Sequence, residues 1–208
     1  LGPWKFMGVF MDESPTGCWT NHHSIVEYNG QWYIFYHHND YSPEFDKNRS
    51  ARIDTIGFNP DGTIIKVIPT LRGVGNSDAR TQIQIDRYSE IAPTASIAYL
   101  NEDNKFDGWK TLFKKSGAWV RYNRVEFGQE PVKQVKFRVL APKGAKLEVS
   151  IAGGKSIATV NVPRSNNWEI VSAPVKKSPT GLQDLKITLK SGQAEVDWMI
   201  FDAKPWTA

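Results

Sequence analysis

TNHHSIVEYNGQWYIFYHH, residues 20–38, decides how the opening of this 208-residue chain is read. Asn29-Gly30 lies between runs of Ile, Val, Tyr, Trp and Phe, and both residues tolerate the positive φ of a tight primed turn, so the stretch predicts a β-hairpin. A two-residue loop fixes the register, with partner numbers summing to 59, and sets His22 opposite His37. Side chains alternate along a strand, so His22, Ser24, Phe35 and His37 share one face while His23 and His38 point to the other. That divergence argues against a four-histidine zinc site. The following stretch NRSARID, residues 48–54, brings Arg49 and Ser50 into the next strand, beside the imidazole pair.

The Asn-His at the strand start, the Trp-Tyr-Ile-Phe-Tyr-His return strand and the Arg-Ser pair resemble the last blade of family 43 glycoside hydrolases. Those are five-bladed β-propellers that remove arabinose or xylose from plant polysaccharides. The likeness implies that His22 matches the family's central His, which organises a metal or water on the propeller axis. Arg49 matches the Arg that reaches the sugar, where a planar guanidinium fork suits hydroxyls and carboxylates. A hydrogen-bonded cross-strand pair with His37 is the plainer reading of His22. Leu1-Gly2-Pro3-Trp4-Lys5 also resembles a late propeller stretch, and residues 4–9 read as a short strand. Residues 49–58 and 63–68 read as further strands around the turn Asn59-Pro60-Asp61-Gly62. Residues 1–75 therefore amount to about one blade, and a lone blade leaves apolar surface wet. The expectation is the C-terminal portion of a longer enzyme, whose missing blades or a partner chain cover residues 1–75. A small self-contained β domain is the alternative.

Residues 72–80, RGVGNSDAR, form the expected linker. From about Thr81 short strands alternate with Gly, Pro, Asn and Ser, and no amphipathic helix interrupts them, which predicts a β-sandwich or jelly roll over 76–208. The fold class expected is thus all-β: a partial β-propeller followed by a β-sandwich jelly roll. Composition agrees, with 12% aromatics and eight Trp. The net charge of +4 is scattered rather than striped, which disfavours nucleic acid as a partner. No apolar run is long enough to span a bilayer, so no membrane role is expected. The single cysteine, Cys18, excludes an internal disulfide.

Five landmarks of the second segment resemble family 6 carbohydrate-binding modules: Ile83 to Tyr88, Gly117-Ala118-Trp119, Asn166-Asn167-Trp168-Glu169, Gly181 to Ile187, and Val196-Asp197-Trp198-Met199-Ile200-Phe201. In that family two loop aromatics clamp one sugar, whose C–H face lies on an indole while its rim hydroxyls meet polar side chains. The resemblance maps the clamp onto Trp119 and Trp168. Each also has a packing reading, whereas Trp198, alternating with Val196 and Ile200, reads as core. Glu195 stands where the family often has a sugar-binding Asn, and Ala118 replaces an Asp. The family's structural calcium maps onto Gln84, Asp86 and Asp197, an oxygen set calcium accepts.

Inverting glycosidases need an acid and a base about 6.5–9.5 Å apart. In family 43 these carboxylates lie on earlier blades, and Asp12, Glu13, Glu27, Asp40 and Asp54 match none of them. The resemblance therefore implies a secreted or periplasmic arabinofuranosidase or xylosidase acting on arabinoxylan or xylan, of which this stretch alone is inactive. A non-catalytic carbohydrate-binding or adhesion protein is the other reading.

Overall fold

A computed structural model describes residues 2–13, 21–39 and 49–202. Cys18 and Asp40 lie outside the described residues. The chain divides into two compact units, Leu1–Val74 and Gly75–Ala208.

The first unit holds a three-stranded antiparallel sheet: β1 (Ser24–Tyr28), β2 (Gln31–His38) and β3 (Ser50–Ile56), in that order. Asn29 and Gly30 take φ of 51° and 75°, the paired left-handed conformations that match a hairpin turn to the strands' twist. The register runs from Ser24 opposite Phe35 to Tyr28 opposite Gln31, as the two-residue loop requires. Ile34, Tyr36, Ile56 and Val67 make a small buried core, with Phe10, Met11 and Ile64 packed on it. The turn at Asn59–Gly62 forms as expected: the Gly62 N–H donates to the Asn59 carbonyl at 2.9 Å. Residues 63–68 do not form the expected strand, and only isolated bridges link Phe58 to Ile64 and Met11 to Val67. Residues 4–9 are not a strand either. Both stretches have suitable side chains but no neighbouring ladder to complete them, and a strand without a partner leaves its N–H and C=O groups unmet.

The apolar surface of this unit is poorly covered. All five residues of β1 are exposed. Trp4, Phe6, Ile68 and Tyr28 are each at least 66% exposed. Apolar side chains stand on both faces of β1, and Ile25, Val26 and Tyr28 all remain exposed.

The second unit is a sandwich of two six-stranded sheets. Its strands are β4 (Ser77–Asp78), β5 (Ile83–Gln84), β6 (Glu90–Ile91), β7 (Ala95–Tyr99), β8 (Trp109–Phe113), β9 (Trp119–Glu126), β10 (Gln134–Ala141), β11 (Ala145–Ile151), β12 (Lys155–Val162), β13 (Ser165–Pro174), β14 (Leu182–Gly192) and β15 (Ala194–Asp202). One sheet runs β13-β10-β15-β8-β7 with β5 added to β15; the other runs β12-β11-β14-β9-β4 with β6 added to β9. The period-2 pattern is clean in β10, where Val135, Phe137, Val139 and Ala141 are buried and their neighbours are not. The inner faces meet over Phe137, Leu147, Val149, Ile187, Leu189 and Phe201, all fully buried. Each such side chain contributes about 1.5–3 kcal/mol by leaving water. Phe127 meets Phe201 edge to face at 5.0 Å, and the fully buried Tyr122 donates its hydroxyl to the Ile85 carbonyl at 2.5 Å.

Three details differ from the sequence reading. The expected linker at 72–80 ends early, because Ser77–Asp78 pairs parallel with β9 and Ala79 is fully buried. The hairpin β7–β8, with the polar loop 100–108 between its arms, has no tight-turn signature and was not anticipated. Trp198 is half-buried on an outer face rather than in the core. A bulge in β15 sets Val196 opposite Val139 but Trp198 opposite Arg138, so Asp197 is the extra residue and the alternation flips after it. Met199 and Phe201 therefore take the inward places.

Candidate functional site

In the first unit the hairpin register delivers the imidazole pair. The backbone N–H of His22 donates to His37 Nε2 at 3.1 Å, and the two rings meet edge-on with centroids 5.7 Å apart. His37 is only 9% exposed, while His22 is exposed. Because Nε2 accepts, the neutral ring carries its proton on Nδ1, and that atom is buried without a hydrogen-bond partner among the described residues. Burial lowers the His37 pKa below the usual histidine value, and the positive charge of Arg49 and the neighbouring His22 and His38 lower it further. His22, His37 and Arg49 thus share one corner. His23 packs edge-on against Phe10 at 5.3 Å and His38 against Tyr36 at 5.1 Å, away from that pair.

The nearby carboxylates do other work. Asp54, 7% exposed, accepts from the Tyr36 hydroxyl at 2.5 Å, the Thr70 N–H at 3.0 Å and the Thr70 hydroxyl at 2.6 Å. It ties β3 to the residues after the Asn59–Gly62 turn. Asp12 pairs with Lys66 at 2.8 Å on the surface.

In the second unit, Trp119 and Trp168 lie on the outward faces of different sheets. Trp119 opens β9, flanked by the fully buried Ala118 and Val120, and Lys186 Nζ lies 4.4 Å from its ring centre. Trp168 is on β13, with the Arg138 guanidinium 4.8 Å from its ring centre. The two indoles cannot close on one sugar, because the thickness of the sandwich separates them. Each remains half-buried with one cation over its ring, an arrangement worth about 0.5–1 kcal/mol at an exposed site.

Glu195 borders a shallow notch of about 180 Å³ at one end of the sandwich. Leu112, Phe113, Pro142 and Ala194 give it an apolar floor, and Lys114, Gln193 and Glu195 a polar rim. Ala194 pairs with Phe113 across the β8–β15 ladder, and the Gln193 side-chain amide donates to the Lys114 carbonyl at 3.1 Å, which fixes the wall. Glu195 is held by Lys110 at 2.8 Å. The sequence reading named Glu195 without the notch it borders, since the walls come from three turns far apart in the chain.

The expected calcium ligands fall in one corner, where the Ile85 N–H donates to the Asp197 carbonyl at 2.8 Å and β5 lies along β15. Asp86 and Asp197 are 2% and 6% exposed, whereas Gln84 is exposed opposite Trp198. Arg87 Nε lies 3.5 Å from Asp86, and Arg138 pairs closely with Asp197. Two buried carboxylates with hard oxygens are the donor chemistry that calcium takes. No group of three or more His, Cys, Asp or Glu disposed to hold a metal occurs among the described residues. No helix of the described residues is long and apolar enough to cross a membrane.

Comparison with known proteins places these features. The chain is 37% identical over 68 residues to a xylosidase/arabinosidase 43A of Humicola insolens, a match covering 33% of this chain and 20% of that protein. It thus spans about a fifth of the length of the curated relatives it matches. Among solved structures, a glycoside hydrolase family 43 arabinoxylan arabinofuranohydrolase from Bacillus subtilis, in complex with cellotetraose, superposes with a TM-score of 0.62 at 22% identity. That superposition covers 98% of this chain and 45% of the other. CsCBM6-3 from Clostridium stercorarium, in complex with cellobiose, superposes with a TM-score of 0.55 at 23% identity, over 62% of this chain and 97% of the other. At these identities the structural likeness concerns the fold. Residues 76–203 match the family described as carbohydrate binding module (family 6), and the chain, an all-β protein with a jelly-roll sandwich over that span, belongs to this family.

Proposed function

We propose that these 208 residues are the C-terminal part of a secreted or periplasmic glycosidase acting on arabinoxylan or xylan, in which a closing propeller blade (1–75) precedes a sugar-binding sandwich (76–208). The observation that carries this reading is the first unit itself. Its sheet has a small core, an unpacked outer strand and an imidazole–guanidinium corner, as one blade does when its neighbours are absent. The relatives that are xylosidases or arabinosidases support it, because each match is about 65–68 residues long, comparable to this unit. Earlier blades would cover Trp4, Phe6 and β1 and would supply the acid and base.

In that role His22 and Arg49 serve the sugar pocket without performing the chemistry. His37, neutral and hydrogen-bonded to the His22 backbone, holds that strand end in place, and Arg49 offers donors to sugar hydroxyls. The purified 208-residue chain is expected to release no arabinose or xylose from arabinoxylan while being retarded in gels that contain it. Sugar release by the chain would refute the assignment of catalysis to other blades. Unchanged migration in arabinoxylan, xylan and β-glucan gels would refute the sugar-binding role. Trp168→Ala and Trp119→Ala report separately on the two faces, and each is expected to weaken retardation only if its own face binds.

Calcium is proposed at the Asp86–Asp197 corner. Those carboxylates would hold it, and its charge would lock β5 onto β15. Removing it with EGTA is then expected to lower the melting temperature by about 5 °C or more, restored by added calcium, because a ligand that binds only the folded state stabilises it. A melting curve indifferent to both additions would exclude the ion.

A further inference from the structure

We infer that the notch beside Glu195 takes a sugar that carries a carboxylate, so that the module favours uronate-bearing glycans over neutral ones; this rests on the sugar-binding reading above. The first observation is the charge of the rim. Glu195 is the carboxylate bordering the notch, and Lys110 already neutralises it at 2.8 Å. Lys114 lines the same notch with no acidic partner among the described residues. Lys115 follows it, and Lys143 stands next to Pro142 in the turn between β10 and β11; both are exposed, again without an acidic partner among the described residues. Among the described residues this corner thus carries more ammonium groups than carboxylates.

The second observation is a neighbouring depression of about 190 Å³, lined by Pro93, Thr94, Ala95, Ser96, Lys114 and Lys115. It shares Lys114 with the first notch. Two ring-sized hollows that share Lys114 as a lining residue suit a main-chain sugar with an acidic neighbour or branch. Leu112, Phe113, Pro142 and Ala194 would meet the C–H face of one ring, and Lys114 would reach the carboxylate of the other.

The third observation is the balance of the whole unit. Residues 75–208 contain 20 Lys and Arg against 14 Asp and Glu, a balance of +6, while residues 1–74 contain 6 against 8. The positive charge belongs to the sandwich, so an acidic polymer is drawn to this unit, with a dependence on ionic strength.

The test uses calorimetric titration of the 208-residue chain with three probes of equal length: a xylooligosaccharide bearing one glucuronic acid branch, the unbranched xylooligosaccharide, and an oligogalacturonate. At low salt an acidic probe is expected to bind roughly three- to fivefold more tightly than the neutral one, the range that one exposed ion pair supplies. The advantage should vanish in Lys114→Gln, survive in Lys114→Arg, and fade at high salt. Which acidic probe binds better identifies a branch or a main-chain uronate as the source of the carboxylate. Equal affinity for acidic and neutral probes overturns the inference and leaves sugar binding intact. An acidic preference that persists in Lys114→Gln overturns the location. Failure of all three probes to bind overturns both this inference and the sugar-binding reading.

Discussion

Gly192→Ala is expected to destabilise the sandwich by about 3 kcal/mol or more and to abolish glycan binding with it. Gly192 takes φ of +79° at the end of β14, opposite Ala145 in the β11–β14 ladder. A Cβ added there would lie 2.1 Å from the Gly144 carbonyl oxygen and 2.9 Å from the Ala145 Cα. Those are backbone atoms, so no side-chain rotation relieves the clash, and the two turns must separate. The residues that follow, Gln193, Ala194 and Glu195, form one wall of the notch, and Gly144 belongs to the turn that carries Pro142. Separation of the turns therefore opens the notch as it costs stability. Gly128→Ala is the control: Gly128 has φ of +68° with nothing within 4 Å of an added Cβ. It should cost only about 1–2 kcal/mol of left-handed strain. Urea denaturation of the two variants measures the difference, and similar midpoints would mean that the turns do not approach as described.

Asp54→Ala should cost the first unit about 3 kcal/mol or more, since it leaves a buried phenol and the Thr70 N–H and hydroxyl without their acceptor. Tyr36→Phe removes one of the three donors and should cost about 1 kcal/mol. Amide hydrogen exchange in β2 and β3 reports on this unit without interference from the sandwich. A pH dependence separates the roles. Burial raises the Tyr36 pKa well above the usual tyrosine value, with Asp54 raising it further. The folded phenol stays neutral where the unfolded one ionises, so the unfolded state binds fewer protons above about pH 10. Stability from this site is therefore complete below that pH and falls as pH rises above it. Tyr36→Phe should remove that alkaline fall. If exchange protection in β2 and β3 is the same in Asp54→Ala as in the wild type, the carboxylate is not the tie described.

The elements legible in the sequence are those whose cause is local. Asn29-Gly30 determined a turn type, the turn type determined a register, and the register put the His22 amide on His37 Nε2. Asn59-Pro60-Asp61-Gly62 worked in the same way. Most sandwich strands were equally plain, because alternation against one core leaves a period-2 trace, as in β10. The stretches at 4–9 and 63–68 carried the same trace and formed no strand. Pattern describes what a segment offers; pairing needs a neighbour. The hairpin at 95–113 was hidden for the opposite reason, its arms being joined by a nine-residue polar loop rather than by a two-residue turn.

The site shows the division most clearly. His22 and His37 come together because hairpin geometry propagates over a few residues, and Arg49 joins them through the pairing of β3 with β2. Trp119 and Trp168 do not come together, because membership of one sheet or the other is decided by crossovers between strands distant in the chain. The bulge at Asp197 belongs to the same class: one extra residue, invisible in the pattern, turned Trp198 outward. By itself the sequence determined an all-β chain with a β-hairpin, a sandwich and the residues of a sugar-binding family. Tertiary structure alone decided which indole faces which surface, and it assembled Leu112, Pro142 and Ala194 into one hollow beside Lys114, which has no acidic partner among the described residues. The physical reason is range: backbone propensity and side-chain alternation act over a few residues, while a cavity and its charge balance exist only once remote turns have packed.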